Sequence, residues 1–194
     1  MPRCSWCEGD SLHEQYHDEE WGVPVFDATQ LFERLSLEGM QAGLSWLTVL
    51  RKRAHMRDEF YAFAIDRLAA ADDVSLARWL QDSGLIRHRG KLSAMINNAR
   101  RVQDIEGFSD WLWSFAPNIQ TARATLDLIP AVTAESTAMS KALKKAGFSF
   151  VGPTICYAFM QSVGMVNDHV SNCWRRPLCE GLHEEMSKQA NPQL

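Results

Sequence analysis

Apolar residues in this chain recur almost everywhere at three- and four-residue intervals, and no run alternates strictly, so helices are the elements left to bury them. The spacing predicts helices over Phe26 to Ala42, from Ser45 through Val49 and Leu50, over Ala54 to Phe60, Asp73 to Asp82 and Gly90 to Asp104, and a short one carrying Trp111 to Phe115 with Ser109 as its cap. Asp27 is placed to cap the first of these with Gln30 three residues on, and Phe26 and Leu31 could form the accompanying hydrophobic staple. In the last third, Met139 to Ala146 and Pro153 to Val163 flank the tight connection Gly147 to Gly152, with Pro153 at a helix start and Gly164 as a stop. Pro117 to Pro130 gives no decisive pattern. The expected fold is all-α, a bundle of short helices. With no repeat, low-complexity tract or linker, residues 1–194 are expected to form a single unit.

One residue breaks the apolar pattern. Leu31, Leu35, Glu38 and Ala42 share a helix face, so the stripe carries an acid inward. The helix then runs into Gly39 to Trp46, a small-residue loop ending in an indole. A buried carboxylate is costly unless something positive meets it. A core Glu satisfied by an arginine or by backbone N–H groups would leave the same signature, so position alone leaves both readings open.

The apolar fraction of 46% and seven Trp are ample for a packed interior, and no run approaches the ~20 apolar residues that span a bilayer. The first residues lack the apolar core of a signal peptide, and five Cys beside six His without an export signal point to a reducing cytoplasm. A net charge of −4 does not advertise a nucleic-acid binder. Bases nevertheless cluster at Arg51-Lys52-Arg53, Arg87-His88-Arg89-Gly90-Lys91, Arg100-Arg101 and Lys141, Lys144 and Lys145, and local stripes can bind phosphate on an acidic protein.

Cys4 and His17 near one end, and His169 and Cys173 near the other, make a set suited to tetrahedral Zn²⁺. His169 and Cys173 are four apart, as on one turn of helix. Spacing leaves the choice open, since His13 and His17 are also four apart and Cys4 and Cys7 form a CxxC pair. Four protein ligands would leave no place for a catalytic water, so such a zinc would be structural.

Trp6, Tyr16, Trp21 and Trp46 lie on the segments that carry Cys4, His17 and Glu38, and rings around a carboxylate suit a flat cationic heterocycle. Trp79, Trp111, Trp113 and Trp174 fit core positions instead. The Gly147–Gly152 turn leads into a helix N-terminus whose N–H groups could meet a DNA phosphate.

Long motifs now accumulate: Cys4-x-Trp6; Tyr16-His17-Asp18-x-Glu20-Trp21-Gly22-Val23-Pro24; Leu37-Glu38-Gly39-x-Gln41-Ala42-Gly43-Leu44-Ser45-Trp46; Ile86-Arg87-His88-Arg89-Gly90-Lys91; and Phe148-x-Phe150-Val151-Gly152-x-Thr154-Ile155-Cys156-Tyr157 with Asn167-Asp168-His169-Val170. Over residues 1 to about 173 the chain resembles the 3-methyladenine DNA glycosylase I family. The resemblance implies a helix-hairpin-helix glycosylase fold, with the motif near 138–164 and a structural zinc joining the two chain ends on Cys4, His17, His169 and Cys173. It implies a base pocket of Glu38, Trp46, Tyr16, Trp6 and Trp21, and excision of 3-methyladenine from alkylated double-stranded DNA by a monomer. Glu38 would favour the cationic base, and Leu44 beside Gly43 would wedge into the vacated stack. Gly147, Gly152 and Lys145 would hold the backbone.

Asp168 is expected to support the metal site or the fold rather than the reaction. No Lys lies between Lys145 and Lys188, so Schiff-base strand cleavage is not expected. Competing readings are a non-catalytic DNA-binding module, a small zinc hydrolase, and a glycosylase for another alkylated purine such as N3-methylguanine. Cys7 and Cys179 have no assigned role.

Overall fold

The computed structural model describes residues 1–118 and 121–190, without the side chains of 186–190. Among these residues it holds ten α-helices and no strand, only an isolated bridge between Arg123 and Val170. In chain order they are α1 (Ser11–Glu19), α2 (Ala28–Gln41), α3 (Trp46–Glu59), α4 (Ile65–Ala69), α5 (Asp73–Gln81), α6 (Arg89–Gln103), α7 (Phe108–Trp113), α8 (Ala134–Lys145), α9 (Pro153–Ser162) and α10 (Arg176–Ala190).

Helix α2 is the axis of the fold. Every residue from Leu31 to Met40 is buried, because the helix is packed on several sides, notably by α3, α6 and α9. The inward place of Glu38 therefore does not depend on one apolar stripe; no face of this stretch is left for solvent. Asp27 caps α2, accepting from Gln30 N–H at 2.9 Å. Phe26, expected to staple the helix, is half-exposed and stacks on Trp113, 4.7 Å between ring centroids. The far end of α2 is capped by Lys91, whose Nζ donates to the carbonyls of Met40 (2.9 Å) and Ala42 (2.5 Å). This lysine of the apparent basic run is thus buried structure.

Several boundaries moved. Ser45 does cap its helix, but the two segments expected over 45–60 are one continuous α3. Gly107, not Ser109, precedes α7. Helix α8 starts five residues before Met139, behind a capping box of Thr133 and Ser136, where a serine does the work usually given to Glu or Gln. Helix α1, capped by Asp10, and the short α4 were not anticipated, nor was α10. The undecided stretch 117–130 contains a 3-10 turn at Leu126–Leu128, with 119–120 outside the described residues. Trp79 is fully buried and Trp111 and Trp113 pack on the core. Trp174 is only half-buried, and its backbone N–H donates to Pro2 C=O at 3.0 Å, tying this C-terminal turn to the N-terminal segment.

The interior divides into two apolar clusters. The larger is built on α2, α6 and α9, and the smaller gathers Cys4, Tyr16, Trp21, Leu50, Val170 and Cys173. Trp46 touches both. The site lies along that seam.

Candidate functional site

Helix α1 turns Tyr16 inward, the following turn delivers Trp21, the 3-10 turn Ser5–Cys7 delivers Trp6, and the first residue of α3 is Trp46. These four rings, with Glu38, Gln41, Leu126, Ile129, Ala158 and Gln161, line a cavity of about 350 Å³. Trp6 and Trp21 meet edge to face at 5.1 Å, and Tyr16 tilts against Trp46 at 5.2 Å. A cavity of this size and lining suits one flat heterocycle.

Glu38 is 5% exposed, and its carboxylate makes no hydrogen bond or close ion pair among the described residues. Burial pushes its carboxyl up to about 8, only partly offset by Arg34 one helical turn back. Arg34 is committed elsewhere. It pairs with Glu20, which also binds Arg53 at 2.5 and 2.8 Å, while its guanidinium carbon sits 5.6 Å from the Tyr16 ring centroid. Glu38 is thus an inward acid whose neighbouring arginine is held by a different acid. It also borders a smaller cleft of about 220 Å³ with Gln41, Ala42, Gly43, Leu44, Thr154, Ile155 and Ala158.

The second constellation adjoins the first. Cys4, His17, His169 and Cys173 are all buried, and their ligand atoms lie within 4.8 Å of one another. His17 Nε2 and His169 Nδ1 are 3.2 Å apart, and the sulfur–nitrogen separations are 3.4 Å (Cys173–His17), 3.5 Å (Cys173–His169) and 3.7 Å (Cys4–His169). Tetrahedral zinc with ordinary Zn–N and Zn–S bonds has edges of about 3.3–3.8 Å, so the donor set fits that ion. The outer nitrogens are spoken for: Asp18 Oδ1 lies 2.8 Å from His17 Nδ1, and the Trp21 carbonyl lies 3.1 Å from His169 Nε2. Both contacts orient the opposite ring nitrogen into the cluster. Burial holds the Cys4 thiol up at about 12 and His169 down near 3.

His169 and Cys173 do not share a helix; they sit on a turn in which Cys173 N–H donates to Val170 C=O at 2.9 Å. Of the rival ligands, Cys7 points its sulfur at the Cys4 carbonyl (3.0 Å), and His13 packs edge-on against Trp6. Cys179 lies buried beside Gly22, where an added Cβ would come within 3.5 Å of its sulfur.

A family model described as methyladenine glycosylase matches residues 6–176. The chain belongs to the methyladenine glycosylase family. It is 52% identical over 180 residues to DNA-3-methyladenine glycosylase 1 of Escherichia coli (strain K12), covering 89% of this chain and 96% of that protein. To DNA-3-methyladenine glycosylase of Haemophilus influenzae (strain ATCC 51907 / DSM 11121 / KW20 / Rd) it is 47% identical over 177 residues, covering 88% and 96%. A crystal structure of 3-methyladenine DNA glycosylase I superimposes with a TM-score of 0.88 at 50% identity, over 91% of this chain and all of that one. A structure of the Staphylococcus aureus enzyme, described as the basis of its 3-methyladenine recognition, superimposes with a TM-score of 0.85 at 31% identity, over 90% and 96%.

Residues named for a DNA surface in this family member fare unevenly. Leu44 is 42% exposed at the rim of the smaller cleft, next to Gly43 with φ +76°. Lys145 is exposed in the last turn of α8. Gly147 (φ +87°) follows the end of α8, and its N–H already donates to Lys144 C=O. The next two N–H groups are also used, Phe148 on Leu143 C=O and Ser149 on Asn98 Oδ1. Among the described residues, the N–H groups of the turn left without an acceptor therefore begin at Phe150, not at Gly147. Gly152 caps α9 with no side-chain partner, an ordinary φ of −63° and nothing within 4 Å of an added Cβ. Gln41, Gln161, Leu126, Ile129 and Ala158 were missed as wall residues. Gln41 stands within a quoted motif and Ala158 directly follows one, but nothing in their spacing marks them; Leu126 and Ile129 come from the segment with no readable period.

Asp168 does not support His169. Its Oδ2 accepts from Tyr157 O–H at 2.5 Å and from Gln161 Nε2 at 2.9 Å. The backbone N–H of His169 is held instead by Asn167 Oδ1, at 3.3 Å.

Proposed function

We propose that this protein finds alkylated bases in duplex DNA, turns 3-methyladenine out of the stack into the Glu38 cavity, and releases it by hydrolysis of the N-glycosidic bond. The observation that carries this reading is an acid with no hydrogen-bond partner among the described residues, raised to about 8 by burial, on the wall of a ring-lined cavity sized for a purine. A core glutamate satisfied by its surroundings would have no such hollow beside it. The names of the relatives point to the same base.

The chemistry asked of the site is modest. Methylation at N3 places a positive charge on the base, so the base departs neutral. Extraction costs a few kcal/mol of unstacking and unpairing, and stacking on aromatic rings returns about 1–3 kcal/mol. Near neutral pH Glu38 holds a proton. A cationic base stabilises the carboxylate, so its entry expels that proton, and neutral adenine gains nothing comparable. Leu44, exposed at the cleft rim, is the residue for the gap left behind. Phosphates would lie on the open N-terminus of α9 at Gly152, with Lys145 alongside.

No lysine lines either cavity among the described residues, which supports hydrolysis without a Schiff base; the Lys188 side chain lies outside them. Cys4, His17, His169 and Cys173 would hold Zn²⁺, supplying a cross-link between the chain ends. With all four positions taken by protein, the ion would offer none to a catalytic water. Action as a monomer in the cytoplasm belongs to the same proposal.

The test is incubation of methylated duplex DNA with the protein, followed by chromatography of the released bases. Free 3-methyladenine with an intact strand until alkali treatment is the expected outcome. No released base from folded protein that binds the DNA would favour a non-catalytic binder. Strand cleavage without alkali would refute the lyase-free chemistry.

A further inference from the structure

The base cavity has a second polar wall opposite in origin to Glu38, and its orientation is set from behind. Gln161 lies on α9, lines the cavity, and spends an N–H of its amide on Asp168 Oδ2 at 2.9 Å. The same oxygen accepts the Tyr157 hydroxyl at 2.5 Å. Burial, reinforced by that hydrogen bond, pushes the Tyr157 phenol well above its usual range, so it stays a donor. Asp168 is 4% exposed and Tyr157 3%. An amide can ordinarily turn over, exchanging its oxygen and nitrogen. Here the turned amide would set its oxygen against a carboxyl oxygen, two acceptors facing each other in a buried place. Among the described residues no hydrogen bond occupies Gln161 Oε1, which leaves that oxygen available to the cavity this residue lines.

We infer that Gln161 is a specificity-determining residue, its Oε1 accepting from the exocyclic amine of the bound purine, and that Asp168 is the positioning residue that keeps this oxygen presented. The inference rests on the base-excision reading above and adds to it which purine is accepted. Adenine carries an amino donor at the ring position where guanine carries a carbonyl oxygen. A fixed acceptor welcomes the first and leaves the second facing an unpaired oxygen. Sites built to hydrogen-bond a substrate group reject analogues that lack it far more strongly than apolar walls reject an extra methyl. Glu38 reads the positive charge common to both N3-methylated purines; Gln161 tells them apart.

The experiment treats duplex DNA carrying N3-methyladenine and N3-methylguanine with wild type, Gln161→Leu and Asp168→Ala, and quantifies both free bases. Wild type should release 3-methyladenine in clear preference. Both variants should lower the ratio of 3-methyladenine to 3-methylguanine release by about tenfold, the size expected for one lost buried hydrogen bond. Asp168→Ala acts without touching the base, by removing the acceptor that holds the Gln161 amide in one orientation. A general loosening of the fold would slow both releases together and leave the ratio alone. An unchanged ratio in folded Gln161→Leu overturns the inference, as does equal release of both bases by wild type. If Asp168→Ala does not fold, the Gln161→Leu ratio decides. Failure of wild type to release either base would instead bring down the base-excision reading, and this inference with it.

Discussion

Near pH 7 the free protein holds Glu38 mostly protonated, since burial has moved it from the usual 4.5 to about 8. The folded state then binds a proton that the unfolded chain releases, so this residue makes stability fall as pH rises from about 4.5 to about 8. Below that window it costs nothing, and above it the full cost of a dry carboxylate is present. Glu38→Gln should therefore stabilise the protein above pH 8, by a few kcal/mol in order of magnitude, and change little near pH 4. Denaturant midpoints of both proteins across that range test this; a gain confined to acid pH would contradict the assignment. The same variant should bind duplex DNA as wild type does while losing base release. A glutamine that released 3-methyladenine at the wild-type rate would remove Glu38 from the proposed chemistry. At this scale the sequence was informative about Glu38 and silent about Arg34. Whether the arginine one turn away neutralises Glu38 depends on Glu20 and Arg53, which are brought in by other helices.

Helix α9 shows what element geometry adds. Its N-terminus at Gly152 is open, uncapped by any side chain, and free of the steric or dihedral demands that usually explain a glycine. Asp at this position would be a good helix cap and would suit the positive end of the helix dipole. Gly152→Asp should therefore leave the melting temperature unchanged or slightly raised while weakening duplex affinity through repulsion of the phosphate. Equal affinity in low-salt titrations would remove α9 from the DNA surface. The turn before it is legible only in part. Its glycines are visible in the sequence, but Asn98 on α6, which accepts from Ser149 N–H and donates to Ser149 C=O at 2.9 Å each, cannot be linked to it by spacing alone. The helices whose period was clean, α2, α5, α6 and α9, were found nearly at their observed ends. Helix α1 was missed although Asp10 is an ordinary cap, and α8, whose capping box uses Ser136, was shortened.

Across the whole molecule, the buried Cys4, His17, His169 and Cys173 join a chain end to a turn some 150 residues away in sequence, and Trp21 ties that cluster to the base cavity through its carbonyl on His169 and its ring in the wall. If these four residues hold Zn²⁺ as proposed, its removal should loosen the terminal segments and the pocket together. Chelation, or Cys173→Ser, should lower the melting temperature and raise protease sensitivity near the N-terminus, with bound zinc measured by metal analysis. A protein equally stable before and after chelation would argue against a structural zinc there. Residue types and spacing sufficed for the all-helical class and for the inward acid, because helical period is a local property; they left the choice among the cysteines and histidines open, and the set of four came from the family resemblance. They could not say whether Glu38 is neutralised, which donors of the hairpin turn are already spent, or that Asp168 serves Gln161 rather than His169. Those outcomes depend on which side chains from distant segments compete for the same atoms, and only packing in three dimensions decides that competition.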